Sequence, residues 1–192
     1  FKIRAFWAGN LANYLAGVAR GGMQFMLIIW LQGIWLPLHG FTFEATPLWA
    51  GIYMVPLTIA FLVTGPLCGA LSDRFGARAF ASGGLALIAA SFVGFVLLPV
   101  NFNYWAFTAL LVLNGIGSGM YSAPNTTAIM NSVPADSRGA ANGMRGTLQN
   151  SGFALSIGVF FSLMIVGLAG TLPSTMRTGL LAHHVPAAAA TA

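Results

Sequence analysis

The sequence predicts an all-α fold, a polytopic transmembrane helix bundle, and three observations predict it. Hydrophobic residues make up 57% of the 192 residues and charged residues 6%, with a mean hydropathy of +0.81, more apolar surface than a water-soluble domain of this size could bury. The apolar residues fall into five runs, each at least as long as the roughly 20 residues a helix needs to cross a bilayer. The three acids, Glu44, Asp73 and Asp136, all fall in connections between runs. In lipid every backbone polar group must be satisfied within the segment or its partners, so helices are the natural solution for runs of this kind.

The first span is expected over 5–36, preceded by Lys2 and Arg4 and followed by a polar connection holding Pro37, His39, Gly40, Glu44 and Pro47. The second, 48–71, carries Pro56 and Pro66, which are expected to bend it because each removes a backbone donor. A tight reversal at Gly76 leads into the third span, 78–100, since glycine takes a left-handed conformation without strain. After Asn101, Phe102 and Asn103, the fourth runs over 104–130, with Gly115, Gly117 and Gly119 permitting close helix approach. Pro134 suits a first helical turn and Asp136 favours the helix dipole, which starts the fifth span, 134–169. Residues 170–192 are too polar and broken to cross and are expected as a tail on the outer side. The organisation is therefore a five-helix bundle over 1–169 followed by that tail.

The charge balance sets orientation and excludes other classes. The formal charge is +5 and the pI about 10.2, but the eight bases are spread singly and make no patch for nucleic acid. If Lys2 and Arg4 lie in the cytoplasm, alternation puts Arg74, Arg78 and Arg138 there as well and only Arg177 outside, a ratio of five to one. The single cysteine, Cys68, excludes an internal disulfide framework and suggests no metal cluster, and nothing points to a cofactor. The chain begins at Phe1 with no signal sequence ahead of the first span and is read as an internal fragment.

Polar residues inside the spans mark candidate function. In the first span Asn13, Gly17, Arg20, Gln24 and Leu31 share a stripe about 60° wide at helical periodicity. Arg20 lies near the middle, where insertion costs at least about 2.5 kcal/mol, so it should face the bundle interior or water. Lining a pathway and tying helices together satisfy that requirement equally. The fourth span aligns Asn114, Ser118, Tyr121 and Asn125; the fifth aligns Asn142, Arg145, Gln149 and Ser156. Single amides commonly do no more than join helices, but three such stripes favour a shared polar lining, with the aromatics Trp30 and Tyr121 beside it. The third span offers only Ser82 and Ser91 and is expected to be peripheral, facing lipid.

Between the second and third spans the chain reads G-P-L-C-G-A-L-S-D-R-F-G-A-R from Gly65 to Arg78. Here Gly69, Leu71, Asp73, Arg74, Gly76 and Arg78 stand where the conserved cytoplasmic motif of the major facilitator superfamily has G-x-L-a-D-r-x-G-r-r, with Ala77 in place of one base. The chain resembles helices one to five of the six in that family's C-terminal half. Gln32, Ala50-Gly51-Ile52, Val55-Pro56, the segment Arg138 to Met144, and Gln149 resemble the fourteen-helix drug:proton antiporters of the EmrB/QacA type. The resemblance implies that the motif is a conformational latch on the cytoplasmic side. It also implies secondary active, proton-coupled export of drugs or other small amphipathic compounds by alternating access across a bacterial inner membrane. Partners implied are the lipid bilayer, an N-terminal half of the same transporter, a small-molecule substrate and protons, with room for a periplasmic adaptor protein. The proton-carrying carboxylate would lie in the other half, because no acid falls within these spans.

Other readings remain open from sequence. A carrier of a metabolite or organic anion would use Arg20 as its attractor. A structural membrane domain would use the polar stripes as interhelical ties. An intramembrane enzyme would need a nucleophile, paired acids or a metal site at depth, and no His, Asp or Glu lies in any expected span.

Overall fold

The computed structural model describes residues 4–99 and 101–182, apart from the side chains of Ala5, Asp73 and residues 171–182. Helix α1, Arg4–Trp30, runs on through a π-helical turn, Leu31–Trp35, into a short helical end, Leu36–Leu38. Helix α2 spans Thr46–Phe75, α3 Ala77–Leu97 and α4 Tyr104–Asn131; a 3₁₀ turn, Ala135–Ser137, then leads into α5, Arg138–Ala182. Five segments are long and apolar enough to cross a membrane: Phe6–Leu38, Thr46–Ser72, Ala77–Leu97, Tyr104–Asn131 and Ala135–Gly170. Each overlaps its sequence expectation to within a few residues.

The connections follow from local chemistry. Gly76 alone separates α2 from α3, with φ +94°, a value that other residues rarely adopt. The Asn103 side chain accepts a hydrogen bond from the Trp105 amide at 3.0 Å and caps α4. Three local expectations need correction. Pro37 does not end the first span; the preceding π turn, in which the Leu36 amide donates to the Leu31 carbonyl, widens the helix and carries Pro37 within it. Pro134 stands before the 3₁₀ turn in an extended conformation, ψ 153°, not in a first helical turn. The backbone also stays helical through residues 170–182, where a tail was expected. Lys2, His183 and His184 lie outside the described residues, as does the Arg177 side chain.

Small residues decide which helices meet. Gly115 and Gly119 of α4 lie against the backbone of α2 at Leu57 and Gly65, and Gly117 lies against α3 at Gly84. The glycines expected to permit close approach therefore do so on two sides of one helix. On the other side of the bundle Gly17 and Gly21 of α1 meet the Gln149 and Phe153 carbonyls of α5, while Gly152 of α5 meets the Tyr14 carbonyl. Helix α4 thus carries α2 and α3, helix α1 carries α5, and α1 joins α4 through Gly9 packed on Ile129.

Aromatic packing closes one end of the bundle. Trp35 stacks on Phe102 at 5.2 Å and donates from Nε1 to the Phe102 carbonyl at 3.3 Å, while Phe102 stacks on Phe107 at 4.9 Å. Leu31, Leu36 and Leu111 complete this buried core, and a smaller one at the opposite end joins Phe6, Ile129 and Ala141. Large apolar side chains remain exposed along α2, α3 and α5, among them Leu62, Val63, Val93, Val96, Leu163 and Val166. Their solvent is lipid or further protein.

Candidate substrate pathway

Arg20 reaches the space between α1 and α4 near the middle of the bundle. Its guanidinium carbon lies 5.4 Å from the centre of the Phe61 ring of α2, a cation–π contact. On one side it borders a cavity of ≈ 330 Å³ between α1, α3 and α4, together with Asn114, Ser118 and Tyr121. On the other it borders a cavity of ≈ 190 Å³ between α1, α2 and α4, together with Gln24, Thr58 and Phe61. Arg20, Asn114 and Ser118 line both, so the guanidinium stands at the boundary of two adjoining spaces. A groove of ≈ 300 Å³ between α1 and α2 continues from Gln24 and Thr58 to Gln32.

The walls of the larger cavity differ from its polar end. Leu85, Ile88 and Phe92 of α3 and Leu15, Ala16 and Ala19 of α1 make them apolar. A further apolar space of ≈ 530 Å³ lies beside it, bordered by Met23, Met26, Trp30, Phe92, Phe95 and Phe160. Helix α3 is accordingly not merely peripheral. Its Val93 and Leu97 are exposed, but the opposite face supplies cavity wall and buries Ser91, whose hydroxyl accepts from the Asn114 side-chain amide at 2.7 Å. The sequence held a faint sign of this role in a lone serine within an apolar span.

The sequence-derived residues divide into two groups. Arg20, Gln24, Asn114 and Tyr121 come together around the two cavities, and Trp30 borders the adjoining apolar space. Asn13, Asn125 and Gln149 do not border them. Asn13 donates to the Arg145 carbonyl at 3.3 Å, Asn125 donates to the Gly9 carbonyl at 3.4 Å, and the Gln149 carbonyl abuts Gly17, so these positions lie at helix–helix contacts. Ser156 likewise donates to the Val18 carbonyl. Arg145 donates to the Thr126 hydroxyl at 3.1 Å and to the Asn142 side chain at 3.4 Å. Phe61 and Thr58 were missed because α2 is apolar around its whole circumference, which leaves no stripe to read.

At the α2–α3 turn Gly69 packs on Ala123 and Leu71, Arg74 and Arg78 are exposed; the Asp73 side chain lies outside the described residues. The Arg78 carbonyl accepts from the Ser82 hydroxyl at 2.7 Å.

Residues 1–157 match the Major Facilitator Superfamily profile, covering α1 to α4 and the first part of α5. The chain belongs to the major facilitator superfamily. Its multi-pass helical bundle is therefore that of a transporter family. Among curated superfamily relatives it is 27% identical to the "Riboflavin transporter RibZ" of Clostridioides difficile, over 88% of this chain and 35% of the relative. It is 28% identical to the "Methyl viologen resistance protein SmvA" of Salmonella typhimurium, over 96% of this chain and 35% of the relative. It is 26% identical to the "Tetracenomycin C resistance and export protein" of Streptomyces glaucescens, over 95% of this chain and 32% of the relative. The chain thus spans about a third of the length of the curated relatives it matches. No solved structure gives a significant match.

Proposed function

We propose that this chain forms helices one to five of the C-terminal half of a secondary active transporter that exports drugs or other small amphipathic compounds in exchange for protons. The observation that carries the reading is the meeting of Arg20, Gln24, Asn114 and Tyr121 around adjoining cavities in the middle of an apolar bundle. Membership of a transporter family supports reading that polar lining as part of a pathway, and relatives named for drug resistance or export favour efflux. Family membership likewise favours transport over an enzymatic or purely structural role.

The two halves would rock about a site near the midplane, so that it opens to each face in turn. The positive charges of the α2–α3 turn and of Arg138 favour a cytoplasmic location for both turns, with Glu44 and the C-terminal residues outside. The inner membrane of a bacterium is the location that the relatives support. An N-terminal half would complete the pathway and supply the carboxylate that carries the proton, and a periplasmic adaptor remains compatible with an outward-delivering pump.

Everted membrane vesicles containing the complete transporter test this reading. They should accumulate the lipophilic cation tetraphenylphosphonium when energised, and an uncoupler should abolish the accumulation. Movement of riboflavin with no movement of the cation would replace drug export by metabolite carriage, the activity printed in the name of one relative.

A further inference from the structure

Tyr121 is 4% exposed, and its buried hydroxyl has no hydrogen-bond partner among the described residues. Buried polar groups are nearly always satisfied by protein, water or ligand, so this one calls for a partner that the bundle does not supply. Arg20 is partly buried beside it. Among the described residues its guanidinium makes no hydrogen bond or ion pair, and its contact with the Phe61 ring does not satisfy N–H donors as an oxygen acceptor would. Both side chains border the same ≈ 330 Å³ cavity, one from α1 and the other from α4.

Two donors bordering one cavity, one of them cationic, fit an acceptor that carries a single negative charge. A carboxylate matches the planar guanidinium through paired oxygens and leaves a lone pair for the phenol. A dianionic phosphate would leave uncompensated charge against the apolar walls formed by Leu85, Ile88 and Phe92, which instead suit a hydrocarbon body. Resting on the transport reading above, we propose that Arg20 and Tyr121 bind a carboxylate between α1 and α4. That carboxylate is supplied either by an amphipathic monocarboxylate ligand or by an acidic side chain of the other half.

The test uses the purified complete transporter with 2-naphthoate and 2-naphthamide, probes that share a ring system and differ in charge. If the ligand supplies the carboxylate, naphthoate should bind at least about tenfold more tightly than naphthamide. Arg20→Gln should abolish the preference, Arg20→Lys should keep part of it, and Tyr121→Phe, which preserves shape, should weaken it about threefold or more. If the other half supplies the carboxylate, neither probe is preferred, but a carboxylate stretching band in the infrared spectrum should shift in both Arg20→Gln and Tyr121→Phe. Absence of both the preference and the band shift overturns the site, and Tyr121→Phe alone decides the matter if the arginine variants do not fold. Tetraphenylphosphonium transport by the same preparation separates the two claims. Transport without either carboxylate signature removes the site and keeps export; a carboxylate signature without transport does the reverse.

Discussion

Gly84 of α3 and Gly117 of α4 meet backbone to backbone: a Cβ on Gly84 would lie 2.6 Å from the Gly117 carbonyl oxygen, and a Cβ on Gly117 would lie 2.8 Å from the Gly84 carbonyl oxygen. Main-chain atoms within helices have little freedom to retreat, so even one methyl group must push the helices apart. Gly84→Ala and Gly117→Ala should each destabilise the transporter by about 1–3 kcal/mol, read as a lower thermal transition in detergent. Gly146→Ala on α5 is the control, because nothing lies within 4 Å of its would-be Cβ. There the gain in helix propensity should leave stability unchanged or raised by up to about 1 kcal/mol.

A second prediction concerns the polar tie beside that contact. Asn114 donates to Ser91 at 2.7 Å, and the Ser91 hydroxyl donates in turn to the Ile88 carbonyl at 2.7 Å, with Ser91 fully buried. A double-mutant cycle of Asn114→Ala and Ser91→Ala should give a coupling energy of about 0.6 kcal/mol, and no more than about 1.7 kcal/mol, the range for hydrogen bonds between membrane helices. Unfolding midpoints of the four proteins measure it. A coupling of zero would show that the amide finds an equivalent partner when the serine is removed.

These two contacts show where sequence reading stops. The five spans, the reversal at Gly76 and the close approach at Gly115, Gly117 and Gly119 were legible because each rests on local chemistry: run length, positive φ, and the absence of a side chain. The polar stripe of α4 was legible too, since helical periodicity fixes which residues share a face. Periodicity does not say which helix that face meets. Arg20 and Asn13 share a stripe, yet one borders cavities with α4 while the other donates to the Arg145 carbonyl of α5, because the face is wide enough to meet two neighbours. Ser91 and Phe61 gained their roles only through partners on other helices. The π turn before Pro37 was also invisible, since no residue type marks a five-residue hydrogen-bond spacing.

The proposed orientation can be tested with exposed positions on opposite sides of the bundle. In a Cys68→Ser background, Ser137→Cys should react with a membrane-impermeant maleimide only in everted vesicles, and Glu44→Cys only in intact cells with a permeabilised outer membrane. Both side chains are exposed, so slow labelling would not be explained by burial. The reverse pattern would invert the topology and place the motif turn outside.

The motif turn yields the last prediction. Helix α2 ends at Phe75, Gly76 reverses the chain, and α3 begins at Ala77, so Asp73 stands in the last turn of one helix close to the start of the next. A carboxylate there is unfavourable for the C-terminal dipole of α2, and it gains from any cation or free helix N-terminus that approaches it. Arg74 and Arg78 are both exposed at this turn, and Ala77 replaces one base of the family motif. If the turn is a latch in the outward-open state, Asp73→Asn keeps the size of the side chain and removes the charge that an opposing helix end would meet. The contact is worth about 1–2 kcal/mol, which changes a two-state ratio by roughly five- to thirtyfold without unfolding the bundle. The missing base puts the effect toward the lower end. In the complete transporter, thiol access to single cysteines on the cytoplasmic side of the cavity should therefore rise in Asp73→Asn and access on the outer side should fall, with slower transport. Unchanged access on both sides and normal transport would reduce Asp73 to a surface charge and place the conformational control elsewhere.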